Sequence, residues 1–420
     1  MATLQRVVSR WQIVALAING VIGSGVFLLP ASAAAMLGPA SVWAVVLAGL
    51  AVLLIVLCFA EASSHFEEPG SAYVYANHAF GPLIGFEVGW MMWLARVATV
   101  ATLSVGFAQA LGYLLPSVTH GVGRTLAIVL PLAALTLINV IGVRSGVNTV
   151  VVLVMGKLLP LGVFVAVGVF AVSRSVVAAQ APAGEGGLGQ AALLLLFAYA
   201  GFENTAAAAG EFKNPRRDIP FALLIQVAIV TLLYVAVQWV ALGTVPDLGS
   251  SQTPLADGAR IFLGAWGGWL LTVGAVVSIL GTNLNSVIAG PRYLYAMASD
   301  GYGPRFLASV HPRFRTPAAA VLFQGAVALP LALSGTFEGL ATLSVIARLI
   351  AYVATTTAVP VLRKRRSKSR AFRLPGGIAI PVAATIISLS LLASASWMNL
   401  LAGTVALAVG GLLFALRRKS

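Results

Sequence analysis

The sequence predicts an all-α polytopic membrane protein with twelve transmembrane helices. Of its 420 residues, 59% are hydrophobic and 9% are charged, and the mean hydropathy is +0.96. A soluble domain carries roughly 25% charged residues, so this composition excludes a soluble globular protein. Twelve apolar runs have the length that a membrane-spanning helix needs. They cover about 11–38, 41–63, 82–115, 124–142, 148–172, 188–210, 220–244, 267–298, 317–334, 339–362, 377–395 and 397–416.

Basic residues fall mainly on alternate connections between these runs. If the N-terminus is cytoplasmic, the inner connections hold twenty of the 26 lysines and arginines, and the outer ones hold Arg124, Arg174 and Arg260. This asymmetry is the positive-inside pattern. It predicts a multi-pass protein of the cytoplasmic membrane with both termini in the cytoplasm, and it explains the net charge of +14 without a nucleic-acid partner. The basic run at 363–373 is a predicted contact with anionic membrane lipids.

The first segment is interrupted by glycine and small polar residues. It reads ALAINGVIGSGVFLLPASAA, with Gly23, Ser24 and Gly25 at its middle. A signal peptide is the alternative for this stretch, but its length and its interruption favour a first transmembrane helix. If the helix unwinds here, a half-helix starts near Val26 and its free N–H groups form an anion site. Close packing through small residues is the competing interpretation.

The sixth segment is interrupted in the same way. It reads LLLLFAYAGFENTAAAAGEF, with Gly201, Glu203 and Asn204 at its middle. Unwinding around 198–202 would free carbonyl oxygens that accept hydrogen bonds from an ammonium group. Broken helices in corresponding positions of two halves indicate a transporter's binding site near the membrane midplane.

Four motifs resemble the amino acid–polyamine–organocation (APC) superfamily, and in particular its bacterial-type amino acid permeases. They are GSGVFLLP, FAYAGFEN…EFKNPRRDIP, AGPRYLYAMASDG and EASSHFEEPGSAYVYANHAFG, and the resemblance covers roughly 11–416. It implies a LeuT-type fold of five-plus-five inverted repeats with helices 1 and 6 broken. The chain is then one transporter domain with a first repeat at 11–172, a second at 188–362 and two additional helices at 377–416.

The resemblance also implies how a substrate binds. The backbone around Ser24 and Gly25 would hold the α-carboxylate of an amino acid, and carbonyl groups near Val21, Phe197 and Ala200 would hold its α-amino group. Phe197 matches an aromatic residue that closes over the ligand, although core packing is an equal alternative. The predicted substrate-binding residues are Val21, Ile22, Gly23, Ser24, Gly25, Phe197, Ala198, Tyr199, Ala200, Gly201 and Asn285.

The substrate class follows from a difference from arginine-carrying relatives. Those relatives place tryptophans at the positions that align with Phe197 and Asn285. Apart from Glu87, no acidic residue of the first, third or eighth segment lies near the expected pocket. A neutral amino acid is therefore the preferred substrate, and a polyamine or cationic amino acid transporter or antiporter is the alternative.

Lys157 lies in the middle of the fifth segment, in VVLVMGKLLPLGVF. An ionisable residue at membrane depth is costly and indicates function. Proton-coupled relatives have a lysine of the fifth helix whose ammonium replaces a sodium ion beside the first helix. We therefore expect sodium-independent transport that is proton-coupled or exchanging. A permanently charged structural brace is the alternative role for Lys157.

Three further charges fall inside predicted helices. Glu203 follows the sixth break and is either a proton-coupling residue or a carboxylate that caps broken backbone or pairs with a buried arginine. Arg96 and Arg348 are each expected to face the bundle or a water-filled cavity and to have a partner, and charge pairing is favoured over substrate contact. On the eighth helix, Asn283, Asn285 and Ser286 are predicted to line the inner face.

Other functional classes find less support in the sequence. A channel is the main rival, because paired broken helices also surround pores. A membrane-embedded enzyme lacks a nucleophile set, no nucleotide-binding glycine loop is present, and the four histidines fall outside the spans, so neither a metal site nor a cofactor is predicted. The expected partners are an amino acid and membrane lipids. The proton is a candidate coupling ion.

Overall fold

The computed structural model describes residues 9–66, 71–142, 147–182, 187–205, 214–365, 372–374 and 376–416. The chain is all-helical. Its α-helices within these ranges are α1 (Arg10–Val21), α2 (Gly25–Leu37), α3 (Ser41–Ser64), α4 (Ser71–Phe80), α5 (Pro82–Leu111), α6 (Gly121–Ile141), α7 (Val147–Gly168), α8 (Arg174–Ala179), α9 (Leu188–Tyr199), α10 (Pro215–Thr244), α11 (Pro254–Leu263), α12 (Ala265–Ser299), α13 (Ala318–Ser334), α14 (Phe337–Arg365), α15 (Ala379–Ala393) and α16 (Trp397–Ala415).

Within the described ranges, eight helical stretches are long and apolar enough to cross a membrane. They are Gly25–Ser64, Pro82–Leu111, Gly121–Ile141, Val154–Ala171, Arg217–Thr244, Ala265–Ser299, Phe337–Arg365 and Trp397–Ala415. Two shorter apolar helices, α13 and α15, accompany them. The prediction of an all-helical polytopic membrane protein is confirmed. Every predicted segment contains at least one helix, and the number of twelve crossings stays a prediction.

The predicted orientation rests partly on residues outside the described ranges. These are Arg6, Arg144, Lys213, Arg366, Lys368, Arg370, Arg417, Arg418 and Lys419. The cytoplasmic placement of both termini therefore stays a prediction.

The first predicted break is a change of backbone conformation between two helices. α1 ends at Val21, and Ile22 is extended, with φ −71° and ψ 101°. A new helix, α2, begins at Gly25, one residue before the predicted start at Val26. Glycine favours such a break because it loses more conformational freedom in a helix than other residues do.

The second break begins later than the sequence suggests. α9 remains helical through Ala198 and Tyr199, and Ala200 is then extended, with φ −66° and ψ 143°. Gly201 has φ +121°, a conformation that favours glycine, and a 3₁₀ turn follows at 202–205. The predicted continuation of this segment at 206–210, and the motif residues up to 213, lie outside the described residues.

The two broken helices cross in close contact. A Cβ atom added at Gly25 would lie 2.6 Å from Cα of Ala198, and one added at Gly201 would overlap the carbonyl oxygen of Gly20. The contact is therefore reciprocal. Gly25, after the first break, meets Ala198, which lies before the second break, and Gly201, in the second break, meets Gly20, which lies before the first. α9 also packs against α3 and α14, whereas α1 packs against α7 and α10. The crossing thus lies in the interior of the helix bundle.

Candidate functional site

A cavity lies between the two breaks. Seven of the predicted substrate-binding residues line it: Val21, Gly23, Ser24, Gly25, Phe197, Ala200 and Asn285. Gly20 and Asn204 add to the lining from the same two breaks, and α5, α12 and α14 supply Arg96, Thr99, Thr282, Ser286 and Arg348. The cavity is therefore lined by the two breaks on one side and, on the other, by three intact helices whose contributing side chains are polar except for Leu103.

The cavity lining does not include the remaining predicted substrate-binding residues, Ile22, Ala198, Tyr199 and Gly201. The carbonyl oxygen of Ala198, expected to be free, accepts a hydrogen bond of 2.9 Å from the hydroxyl of Tyr234. Tyr199 donates to the carbonyl oxygen of Val45 at 3.2 Å. It lies two positions after Phe197 on a helix with about 3.6 residues per turn, so the two rings leave the helix on nearly opposite sides.

The N-terminus of α2 faces the cavity. Ser24 and Gly25 line the cavity, and Gly25 is the first residue of this 13-residue helix. Phe27 and Leu28 donate their N–H groups to the carbonyl oxygen of Ser24. The hydroxyl of Ser24 is buried and has no hydrogen-bond partner among the described residues. A helix N-terminus carries free N–H groups and a partial positive charge, so this end of the cavity suits a carboxylate.

Lys157 binds the backbone at the C-terminal end of α1, where the first break begins. It is fully buried, and its ammonium group donates to the carbonyl oxygens of Asn19 at 3.0 Å and Ile22 at 2.9 Å and to the hydroxyl of Thr282 at 2.9 Å. An ammonium group has three donors, and each of them has an acceptor. The positive charge also lies at the C-terminal end of α1, where the helix dipole favours a cation.

Glu203 joins both buried arginines. Its Oε1 accepts a hydrogen bond of 2.9 Å from Nη2 of Arg96 and another from Nη1 of Arg348. Its Oε2 accepts hydrogen bonds from the backbone N–H of Gly201 at 2.9 Å and from the hydroxyl of Tyr352 at 3.1 Å. The carboxylate therefore caps the broken backbone of the sixth segment and pairs with arginines of α5 and α14 at once.

The eighth segment contributes a row of hydroxyl groups, of which sequence reasoning predicted Ser286 but missed Ser278 and Thr282. Ser278 and Thr282 both donate to the carbonyl oxygen of Ile22 at 3.1 Å, and Ser286 lines the cavity one turn further on. Their spacing of four residues, which places side chains on one helix face, was the available signal. Asn285 also lines the cavity. Asn283, predicted on this face, instead donates to Ser104 at 3.2 Å.

Aromatic side chains surround both ends of the cavity. The ring of Phe197 packs edge-on against Phe337, with centroids 6.1 Å apart. The next residue, Glu338, lines a second cavity together with residues of α2, α5 and the connection before α11. Near Glu203, the ring of Tyr352 packs against Phe59 and Phe202 at 5.4 and 5.3 Å.

Comparison with known proteins identifies the family. Residues 8–411 match the family described as "Amino acid permease". The chain belongs to this family. The resemblance to bacterial-type permeases of the APC superfamily is thereby confirmed, and the chain is a transporter rather than an enzyme.

Relatives extend over nearly the whole chain. The branched-chain amino acid permease of Bacillus subtilis is 30% identical over 97% of this chain and 92% of its own length. The methylthioribose transporter of the same organism is 31% identical over 98% and 93%. The serine/threonine exchanger of that organism is 32% identical over 90% and 88%. The family description implies an amino acid substrate, but the names of these relatives differ in substrate and one of the substrates, methylthioribose, is not an amino acid.

Proposed function

We propose that this protein is a secondary transporter of neutral amino acids in the cytoplasmic membrane, working by alternating access. The observation that carries the proposal is the cavity between two helix breaks, with the N-terminus of α2 on one side and the extended backbone at Ala200 on the other. The two ends of a zwitterion need opposite partners, and this backbone supplies both. An α-carboxylate binds at Ser24 and Gly25, and an α-ammonium binds carbonyl oxygens near Val21 and Ala200.

The charges around the cavity argue against a cationic substrate. Arg96 and Arg348 line the cavity, Lys157 lies behind the first break, and Glu203 is already engaged by both arginines. Like charges a few ångströms apart in a poorly solvated site repel strongly. The alternative of a polyamine or cationic amino acid transporter is therefore disfavoured.

Lys157 supports transport without sodium. Its ammonium group already bonds the carbonyl oxygens that a sodium ion would need beside the first break. All three of its donors are used in the protonated state, which favours a permanent brace over a proton carrier. We therefore assign coupling to exchange of substrates or to a proton carried elsewhere.

The reciprocal contact of the broken helices supports two inverted repeats. Gly25 meets Ala198, and Gly201 meets Gly20, which is the arrangement expected if the first and sixth segments are related by a two-fold axis. We propose twelve crossings, with repeats at 11–172 and 188–362 and two additional helices at 377–416. The names of two relatives, a branched-chain amino acid permease and a serine/threonine exchanger, support carriage of an amino acid.

Counterflow in proteoliposomes tests this function. Vesicles loaded with an unlabelled neutral amino acid should accumulate the labelled one transiently and saturably, equally well in sodium and in choline. Arginine and putrescine should not compete. A channel shows no such exchange acceleration, so uptake that is linear with concentration would contradict the proposal, as would a requirement for sodium or a preference for putrescine.

A further inference from the structure

We propose that Arg96 selects amino acids whose side chain carries an oxygen acceptor, so that the protein prefers a hydroxyl-bearing substrate over an apolar one of the same shape. This inference rests on the proposed function and specifies the substrate of the same cavity. The inference describes how the side chain of the substrate is recognised. The backbone of the two breaks binds the α-carboxylate and the α-ammonium group.

Arg96 lines the cavity, and one of its N–H donors has no acceptor among the described residues. Only 2% of its surface is exposed, and its Nη2 donates to Glu203 and to the side-chain oxygen of Asn204. Its Nε is buried and has no hydrogen-bond partner among the residues that the structure describes. A guanidinium group cannot lose its charge in a protein, and a buried donor without an acceptor costs free energy. A ligand oxygen in the cavity would remove that cost.

Arg348 provides the contrast within the same cluster. Its Nε donates to the hydroxyl of Ser344 at 3.4 Å, its Nη1 to Glu203 and its Nη2 to the hydroxyl of Thr99 at 2.7 Å. All three of its nitrogen atoms are therefore engaged by protein groups. The two arginines share the carboxylate of Glu203 and the same cavity, but among the described residues only Arg96 has a buried nitrogen atom without an acceptor.

The surroundings of Arg96 favour a neutral polar side chain. Thr99, Asn285 and Ser286 line the cavity with it, and Leu103 is the apolar residue that α5 adds. Hydroxyl and amide groups therefore form most of the uncharged lining that the helix breaks do not supply. A site that hydrogen-bonds a substrate oxygen rejects the analogue that lacks it, because its own polar groups are then left unpaired. A purely apolar pocket makes no such distinction.

Pairs of isosteric amino acids test the inference directly. Threonine is compared with valine, and serine with 2-aminobutyrate, as competitors in counterflow by the wild-type protein. We expect each hydroxyl-bearing amino acid to bind at least about tenfold more tightly than its apolar partner. In the Arg96→Lys variant, which keeps a positive charge beside Glu203 but lacks the Nε donor, the ratio should approach one. The matched control is Arg363→Lys, which alters an arginine that pairs with the buried Glu61 and does not line the cavity, and it should keep the wild-type ratio.

The outcomes separate this inference from the proposed function. Equal affinities within both pairs in the wild-type protein would overturn the role of Arg96 while leaving amino acid transport intact. An equal loss of discrimination in Arg363→Lys would also overturn it, because a change at any arginine paired with a buried glutamate, rather than at Arg96, would then remove the preference. If Arg96→Lys does not fold, the wild-type ratios alone decide. Absence of counterflow with every amino acid would instead contradict the proposed function.

Discussion

Nζ of Lys157 donates a hydrogen bond of 2.9 Å to the carbonyl oxygen of Ile22, the first residue after α1. This bond holds the end of α1 while α2 begins three residues later at Gly25. The same carbonyl oxygen accepts hydrogen bonds from Ser278 and Thr282 of α12. The break is therefore fixed by side chains of α7 and α12 rather than by its own backbone.

Replacing Lys157 with methionine should abolish transport. Methionine preserves most of the side-chain length but leaves the carbonyl oxygens of Asn19 and Ile22 without this donor, and an unsatisfied buried acceptor costs about 1–3 kcal/mol. Counterflow and thermal unfolding of the purified variant measure the effect. Lys364→Met, at the exposed end of α14, is the control and should behave as wild type. Normal counterflow by Lys157→Met would rule out the brace.

Glu203→Gln should destabilise the protein strongly. The change removes the one carboxylate shared by Arg96 and Arg348, and loss of one partner of a buried ion pair costs about 3–5 kcal/mol. The midpoint of thermal unfolding in detergent should fall clearly. The comparison is Glu338→Gln, whose carboxylate is partly buried and accepts one hydrogen bond, from Ser32, so its expected cost is about 1 kcal/mol. Similar midpoints for both variants would contradict the importance of the buried cluster.

Gly25→Ala should separate the two broken helices. The added Cβ would lie 2.6 Å from Cα of Ala198, and overpacking against backbone costs about 1–3 kcal/mol. Both thermal stability and counterflow should decrease. Gly162→Ala in α7 is the matched control, because nothing lies within 4 Å of the added Cβ and alanine favours a helix over glycine by roughly 1 kcal/mol. Wild-type stability and counterflow in Gly25→Ala would contradict the close contact of the two broken helices.

Phe337→Ala should admit reagents to the cavity. Phe337 packs on Phe197, which lines the cavity together with Ser24, so we expect its removal to open a path to position 24. The measurement is the labelling rate of Ser24→Cys by a membrane-impermeant thiol reagent, which we expect to rise several-fold in the double variant. Native Cys58 is fully buried and gives little background. Phe170→Ala, which removes an exposed ring, should leave the rate unchanged, and an unchanged rate in Phe337→Ala would contradict a barrier role.

Local sequence patterns predicted the helix breaks but not the partners of the buried charges. Gly23 and Gly25 weaken a helix wherever they occur, so the first break was visible in the sequence. Glu203 lies 107 residues from Arg96 and 145 from Arg348, and no periodic pattern encodes such pairings. These three charges stood out because charge at membrane depth is costly, but their mutual contacts depend on how α5, α9 and α14 pack.

The start of the second break was predicted less accurately for a similar reason. Ala198 and Tyr199 belong to the stretch that sequence reasoning expected to unwind, yet they remain in α9. The hydroxyl of Tyr234 donates a hydrogen bond to the carbonyl oxygen of Ala198, and Gly25 packs on the Cα of Ala198. Both contacts come from other helices, so local propensity alone could not place the boundary.

Gly25 packs on Ala198 and Gly201 packs on Gly20, so the two breaks contact each other at two points. We therefore expect a movement that separates one pair to strain the other as well. Under the proposed function, recognition of the carboxylate at one break and of the ammonium at the other becomes thermodynamically coupled. An amino acid ester or an N-acylated amino acid would then lose more affinity than the contacts of its blocked group alone provide.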